Sequence, residues 1–189
     1  MRIFIDMDDI CVDLLHEWLI TLNGIKGVKP KTEDDIVNWD MKLAYPMLTK
    51  NQIYSPLYDA SMWCRVQPVK GAYKYLKQLI DDGHQIYIAT ASYPDSYFIK
   101  TTNCLLKHFN YLTPKNIICV HDKFLLDGDI LFDDYHENLR NFKGIKVLRD
   151  KPYNRNCDEE CYHFRVSKDN SWEEFYQIVT EIAKAKETM

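Results

Sequence analysis

No apolar stretch in this 189-residue chain approaches the roughly 18 residues that a helical membrane span requires. Residues 1 to 5 lack the charged, long-apolar and small-residue order of a signal peptide. An excess of positive charge is missing as well. The chain has 24 Lys and Arg against 28 Asp and Glu, a formal net charge of -4. The basic residues are scattered, whereas binding to duplex nucleic acid needs them concentrated. No internal repeat or low-complexity tract is present. These absences predict a cytoplasmic protein with neither a membrane nor duplex nucleic acid as partner. The length suits one good core with a modest second lobe.

A zinc ligand set is also lacking. Cys157 and Cys161 lie close together in Cys-Asp-Glu-Glu-Cys, but zinc needs a second ligand pair and none is nearby. The other four of the six cysteines, Cys11, Cys64, Cys104 and Cys119, sit in apolar company and read as small core residues.

What is present is an alternation of short apolar runs with longer segments of helical period, the pattern of a parallel sheet with crossover helices. The predicted strands are Arg2 to Ile5, Gln85 to Ala89, Asn116 to Val120, Ile130 to Phe132 and Ile145 to Leu148. The predicted helices run from about Val69 to Asp82, Asp95 to Phe109, Glu137 to Phe142 and Ser171 to Lys186, and Lys151 to Cys161 reads as a polar loop. Roughly sixty residues separate the first strand from the second helical segment, far more than one crossover needs. Within them, Val12 to Ile20 reads as a helix ending at Asn23-Gly24. The predicted architecture is therefore α/β: a Rossmann-like core of residues 1–13 and 67–189, with a small helical cap, 14–66, inserted after strand one.

Four polar stations follow predicted strands directly: Asp6-Met7-Asp8, Thr90, Lys123 and Asp133-Asp134. Ligands of an open parallel sheet bind beyond the carboxyl ends of its strands, so these stations converge by topology. Their chemistry suits metal-assisted phosphoryl transfer. Asp6 can attack phosphorus through a carboxylate oxygen, giving an aspartyl-phosphate, provided a cation offsets the repulsion between anions. Magnesium on Asp6, the Asp8 main-chain carbonyl and an acid of Asp133-Asp134 meets that need, since it favours oxygen ligands. The Lys123 ammonium and Thr90 hydroxyl can bind the phosphoryl oxygens. Asp8, two residues beyond the nucleophile, can serve as general acid and then general base.

The ordered stations resemble the four motifs of the haloacid dehalogenase (HAD-like) superfamily, and most closely the 5'(3')-deoxyribonucleotidases. Asp6-Met7-Asp8-Asp9-Ile10-Cys11-Val12-Asp13 is similar to that family's Asp-Met-Asp-Gly-Val-x-x-Asp opening. Thr90 falls at its second motif, His121-Asp122-Lys123 at its Asp-Lys station and Leu131-Phe132-Asp133-Asp134 at its Leu-Ile-Asp-Asp. The stretch from Asn138 through Gly144 to Pro152-Tyr153-Asn154 is similar to bacterial members. The resemblance implies a phosphomonoesterase acting on deoxyribonucleoside monophosphates, with Asp6 as nucleophile, Asp8 as acid/base, magnesium on Asp6, Asp8 and Asp134, and Asp133 in support. It also implies that Trp39 and Tyr58 of the cap meet the base or sugar. Four residues depart from the family pattern: Asp9 stands for Gly, Ala91 for Ser, Tyr135 for a basic residue and Leu14 for an aromatic one. A phosphatase for another small ester or for a nucleic-acid 3'-phosphate end is the alternative within this chemistry. A phosphorylatable receiver domain and a non-catalytic phosphate-binding scaffold are the alternatives outside it.

Overall fold

In the computed structural model the described residues are 1–187; Thr188 and Met189, which the expected core would include, lie outside them. In chain order the elements are β1 (Arg2–Ile5), α1 (Leu14–Asn23), α2 (Met41–Ala44), α3 (Lys50–Tyr54), α4 (Ala60–Arg65), α5 (Ala72–Asp81), β2 (Gln85–Thr90) and α6 (Pro94–Lys100). They continue as α7 (Leu106–His108), β3 (Ile117–Cys119), β4 (Ile130–Asp133), α8 (His136–Arg140), β5 (Ile145–Arg149), β6 (Phe164–Val166) and α9 (Ser171–Glu187). The strands form one parallel sheet in the order β3-β2-β1-β4-β5-β6. A receiver-type sheet runs 2-1-3-4-5, so the strand order removes that alternative.

The period of β1 explains its central place. Ile3 and Ile5 enter one core with Leu76 and Leu79 of α5 and Trp172 and Phe175 of α9. Phe4 points to the other face, against Leu131, Leu139 and Leu148. A strand segment buried on both faces must be apolar, and Ile3-Phe4-Ile5 is; Arg2 at its start is exposed. Its register sets Ile5 beside Ile88 of β2 and Phe132 of β4, which aligns the ends of the three strands that carry the acids and Thr90.

The segment between β1 and α5 is helical and has its own small core of Leu15, Leu19, Leu22, Ile36, Met41, Tyr45, Leu48 and Ile53. Its two ends are anchored elsewhere. Leu14, Met62, Trp63 and Val66 all belong to the core of the sheet, so α4 serves as a buttress between lobe and sheet.

Three expectations are corrected. Cys64 and Cys119 are exposed; only Cys11 and Cys104 of the four are buried. The segment Lys151 to Cys161 is not a solvated loop: it folds as two 3-10 turns, with Lys151, Pro152, Asn154 and Cys161 buried. It leads into β6, a strand that the sequence reading omitted.

Candidate active site

The strand order reverses between β1 and β4, and both strands end in carboxylates there. The Asp6 amide donates to the Phe132 carbonyl at 2.9 Å, continuing the β1–β4 ladder and setting Asp6 beside Asp133 and Asp134. Lys123 opens a 3-10 turn after β3 and is 2% exposed. Its ammonium donates to Asp6 Oδ1 and, at 2.5 Å, to Asp133 Oδ2. Thr90 ends β2, fully buried, and its hydroxyl has no hydrogen-bond partner among the described residues. Asp6, Asp133 and Asp134 each offer an oxygen within 4.8 Å of the others.

Three buried carboxylates around one ammonium leave two negative charges uncompensated. Burial is the main cause of the titration shifts, and that excess adds to it. Burial pushes Asp6 from 3.8 up to about 7; Lys123 opposes the shift, while Asp133 and Asp8 add to it. Burial, with Asp133, Asp9 and Asp6, raises Asp134 well above the carboxylate range. For Lys123 burial acts downward, but Asp133 and Asp6 outweigh it and hold the ammonium charged. The two acids of the pair differ in availability. Asp133 accepts from Lys123, from the Tyr135 amide at 2.9 Å and from Asn138 at 3.1 and 3.2 Å. Asp134 accepts from the Tyr153 hydroxyl through Oδ2, and its buried Oδ1 has no partner among the described residues. A hard cation fits this donor set, with Asp6 and Asp134 free to supply oxygens and Asp133 held as support.

Asp8 leaves the sheet edge in another direction. Its Oδ2 accepts from Lys100 at 2.6 Å, and its Oδ1 is buried without a partner among the described residues. Asp9 has φ of 57°, a left-handed conformation in which a Gly is ordinarily favoured. Its extra charge is met by Lys151 at 3.1 Å and by the Leu15 amide at 3.2 Å, turning it away from the phosphate station.

Two cavities flank Asp8. The larger, about 410 Å³, is lined by Tyr54, Leu57, Tyr58, Trp63, Tyr93, Lys100 and His121 among others. The smaller, about 190 Å³, is lined by Leu15, Trp18, Ile36, Trp39, Met41 and Tyr153 among others. Asp8, Leu14, Tyr54 and Leu57 border both. Trp39 and Tyr58, expected together against one base, thus line separate cavities. Tyr58 is 45% exposed at the larger. Trp39 is stacked on Tyr135 at 4.7 Å and meets Tyr153 edge-on at 5.3 Å. The departures Tyr135 and Leu14 therefore line or brace the cavities, while the Ala91 carbonyl accepts from Lys100 at 3.2 Å.

Sequence reasoning missed Lys100, Tyr153 and Lys151. Lys100 had a signal, since it shares the buried face of its helical segment with Ser96 and Cys104. Tyr153 lies in a stretch already noted as family-like. Lys151 had none, because its partners Asp9 and Glu33 are remote in sequence.

Comparison with known proteins agrees with this geometry. The model of the family "5' nucleotidase, deoxy (Pyrimidine), cytosolic type C protein" matches residues 1–187. A 5'(3')-deoxyribonucleotidase of Bacillus subtilis (strain 168) is 33% identical over 174 residues, covering 91% of this chain and 94% of the relative. One from Clostridium acetobutylicum is 31% identical over 151 residues, covering 80% and 82%. Among solved structures, a HAD family hydrolase from Deinococcus radiodurans R1 with bound phosphate and sodium superposes with a TM-score of 0.66 over 95% of each chain at 10% identity, a likeness of fold. With the match running over the whole described chain, the protein belongs to the deoxy (pyrimidine) cytosolic type C 5' nucleotidase family, within the HAD-like hydrolase fold.

Proposed function

We propose that this phosphomonoester hydrolase dephosphorylates deoxyribonucleoside monophosphates through an aspartyl-phosphate on Asp6, with magnesium as its cation and the cytoplasm as its location. The carrying observation is a set of unpartnered buried oxygens at one sheet edge: the Thr90 hydroxyl, Asp8 Oδ1 and Asp134 Oδ1. Buried polar atoms are nearly always paired. Three orphans beside Asp6 describe a place for a phosphate ester and a cation.

Lys123 holds Asp6 Oδ1, and the other carboxylate oxygen attacks phosphorus. The P–O bond to the nucleoside breaks, and Asp8 delivers its proton to the departing oxygen. Asp8 then takes a proton from water, the resulting hydroxide attacks phosphorus, and the Asp6–phosphorus bond breaks to release inorganic phosphate. Lys123 and Thr90 bind the phosphoryl oxygens where charge spreads in both steps. Magnesium, held by Asp6, Asp134 and the Asp8 carbonyl, supplies the positive charge that offsets the site's carboxylates when bound. Asp133 keeps Lys123 in place.

The nucleoside occupies the larger cavity, whose volume of about 410 Å³ lies within the usual range for small-molecule sites. Tyr58 and Tyr54 meet its base there, and Trp39 closes the neighbouring cavity. The lobe over the site disfavours a nucleic-acid end, which needs an open groove. The test is a panel of phosphate esters with magnesium present. Deoxyribonucleoside monophosphates should exceed sugar phosphates and 3'-phosphorylated oligonucleotides in kcat/KM. A sugar phosphate at the head of the panel would remove the nucleotide reading and leave the phosphatase one.

A further inference from the structure

Lys100 has no part in the phosphate or cation chemistry above, yet its ammonium is costly to bury. Lys100 is 3% exposed, and a buried ammonium is sustained only by close charged or polar partners. Here they are Asp8 Oδ2 at 2.6 Å and the Ala91 carbonyl at 3.2 Å, with the Trp63 ring centroid 5.8 Å away. Lys100 ends α6, and the chain continues as a π turn over Thr101–Leu105. Such single-turn π segments re-aim a helix face and gather at functional sites.

The two Asp8 oxygens are consequently unequal. Oδ2 is gripped, while Oδ1 is buried and unpartnered among the described residues, on a residue that borders both cavities. A general acid works only when its oxygen lies within hydrogen-bond reach of the leaving oxygen. A misplacement of about 1 Å can cost about a hundredfold in rate.

We propose that Lys100 is a positioning residue: by holding Asp8 Oδ2 against the end of β2 it presents Oδ1 to the leaving-group oxygen. The inference rests on the roles of Asp6 and Asp8 given above. Lys100 ties the acid to Ala91, the neighbour of the phosphate-binding Thr90, so acid and phosphate share one frame of reference.

The role has a signature that a structural one lacks. A nucleoside leaves as a poor, proton-requiring alkoxide, whereas p-nitrophenolate leaves as the anion. Lys100→Met should lower kcat/KM for thymidine 5'-monophosphate by roughly ten- to a hundredfold and that for p-nitrophenyl phosphate by no more than about threefold. Both assays use one preparation, so the folded fraction cancels in the ratio. Asp8→Asn should show the same bias more strongly, and adding Lys100→Met to it should change neither rate further. Equal losses on both esters would overturn the proposal, as would a further loss in the Asp8→Asn background. If Lys100→Met alone does not accumulate as folded protein, the Asp8→Asn pair still decides, because no unpaired carboxylate remains there. Absence of any turnover by the unaltered protein would count against the functional reading itself, which the wild-type assays check separately.

Discussion

Asp9 occupies a left-handed backbone position, φ 57°, directly after Asp8, the proposed acid/base, and beyond the strand that leads to Asp6. Asp tolerates that conformation better than most side chains, and Lys151 pairs with the charge it adds. The site's negative excess comes chiefly from Asp6, Asp133 and Asp134, and Asp9 adds to it at Asp134. That excess predicts a pH-dependent response to cations. Burial raises Asp6 to about 7 in the cation-free protein from an ordinary 3.8. Between about pH 4 and 7 the unfolded chain thus gives up this proton before the folded one does, and folding stability falls as pH rises through that window. A bound divalent cation needs the deprotonated carboxylate and reverses the loss. Magnesium chloride should raise the Tm clearly at pH 7.5 and much less at pH 5, followed by thermal unfolding. An equal rise at both values, or none at either, would mean the cluster does not hold the ion. Asp6→Asn should keep the fold and abolish turnover on every ester; more than a small residual rate would place the nucleophile elsewhere. The stations themselves were legible in the sequence because each lies at or shortly beyond the end of a strand. Of their partners, Lys100 and Tyr153 left only an indirect signal and Lys151 none, since the folded topology alone brings them near.

At the scale of elements, legibility followed length and burial. β1 and β4 each carry three consecutive buried apolar residues, and their reading needed at most a one-residue change. β6 has only three residues, with Phe164 40% exposed, so it carried no apolar run to read. The long interval between β1 and α5 was legible, but which of its aromatics line a cavity depended on packing. Trp39 leans on Tyr135, which follows Asp134, and on Tyr153, which is bonded to Asp134. Ring pairs of this kind contribute about 0.5–1.5 kcal/mol each beyond the area they bury. Trp39→Ala should accordingly lower kcat/KM on a nucleotide and on p-nitrophenyl phosphate to a similar degree, because it loosens the support of Asp134. Tyr58→Ala should reduce the nucleotide rate alone, through lost contact in the larger cavity. Steady-state kinetics on the two esters separates these outcomes. A nucleotide-specific loss in Trp39→Ala would assign the base to the smaller cavity instead.

At the scale of the whole molecule, two ties join lobe and sheet in addition to the apolar buttress of α4, and both land beside Asp8, Asp9 and Asp134. One is the Trp39 stack. The other is ionic: Lys151, on the sheet side, pairs with Glu33 of the lobe at 2.8 Å and with Asp9 at 3.1 Å, while Lys168 adds a second cation to Glu33 at 2.8 Å. Burial raises the pKa of Glu33, but Lys151 and Lys168 prevail and hold it below the usual value, so its contribution is present above the ordinary glutamate range and is lost as pH falls through the lowered value. The Lys151 side chain is 1% exposed, which shields this tie from salt far more than a surface pair. Removing one buried member should cost more than removing the partly exposed one. Lys151→Met leaves both Asp9 and Glu33 without it and should cost about 3–5 kcal/mol. Glu33→Gln leaves Lys151 still paired with Asp9 and should cost about 1.5–3 kcal/mol, the scale of one charged hydrogen bond. Urea unfolding at low and at high salt measures both, and the Lys151 loss should persist at high salt. A loss under 1 kcal/mol for Lys151→Met would mean that the aromatic tie and the apolar buttress of α4 hold the lobe without the ionic one.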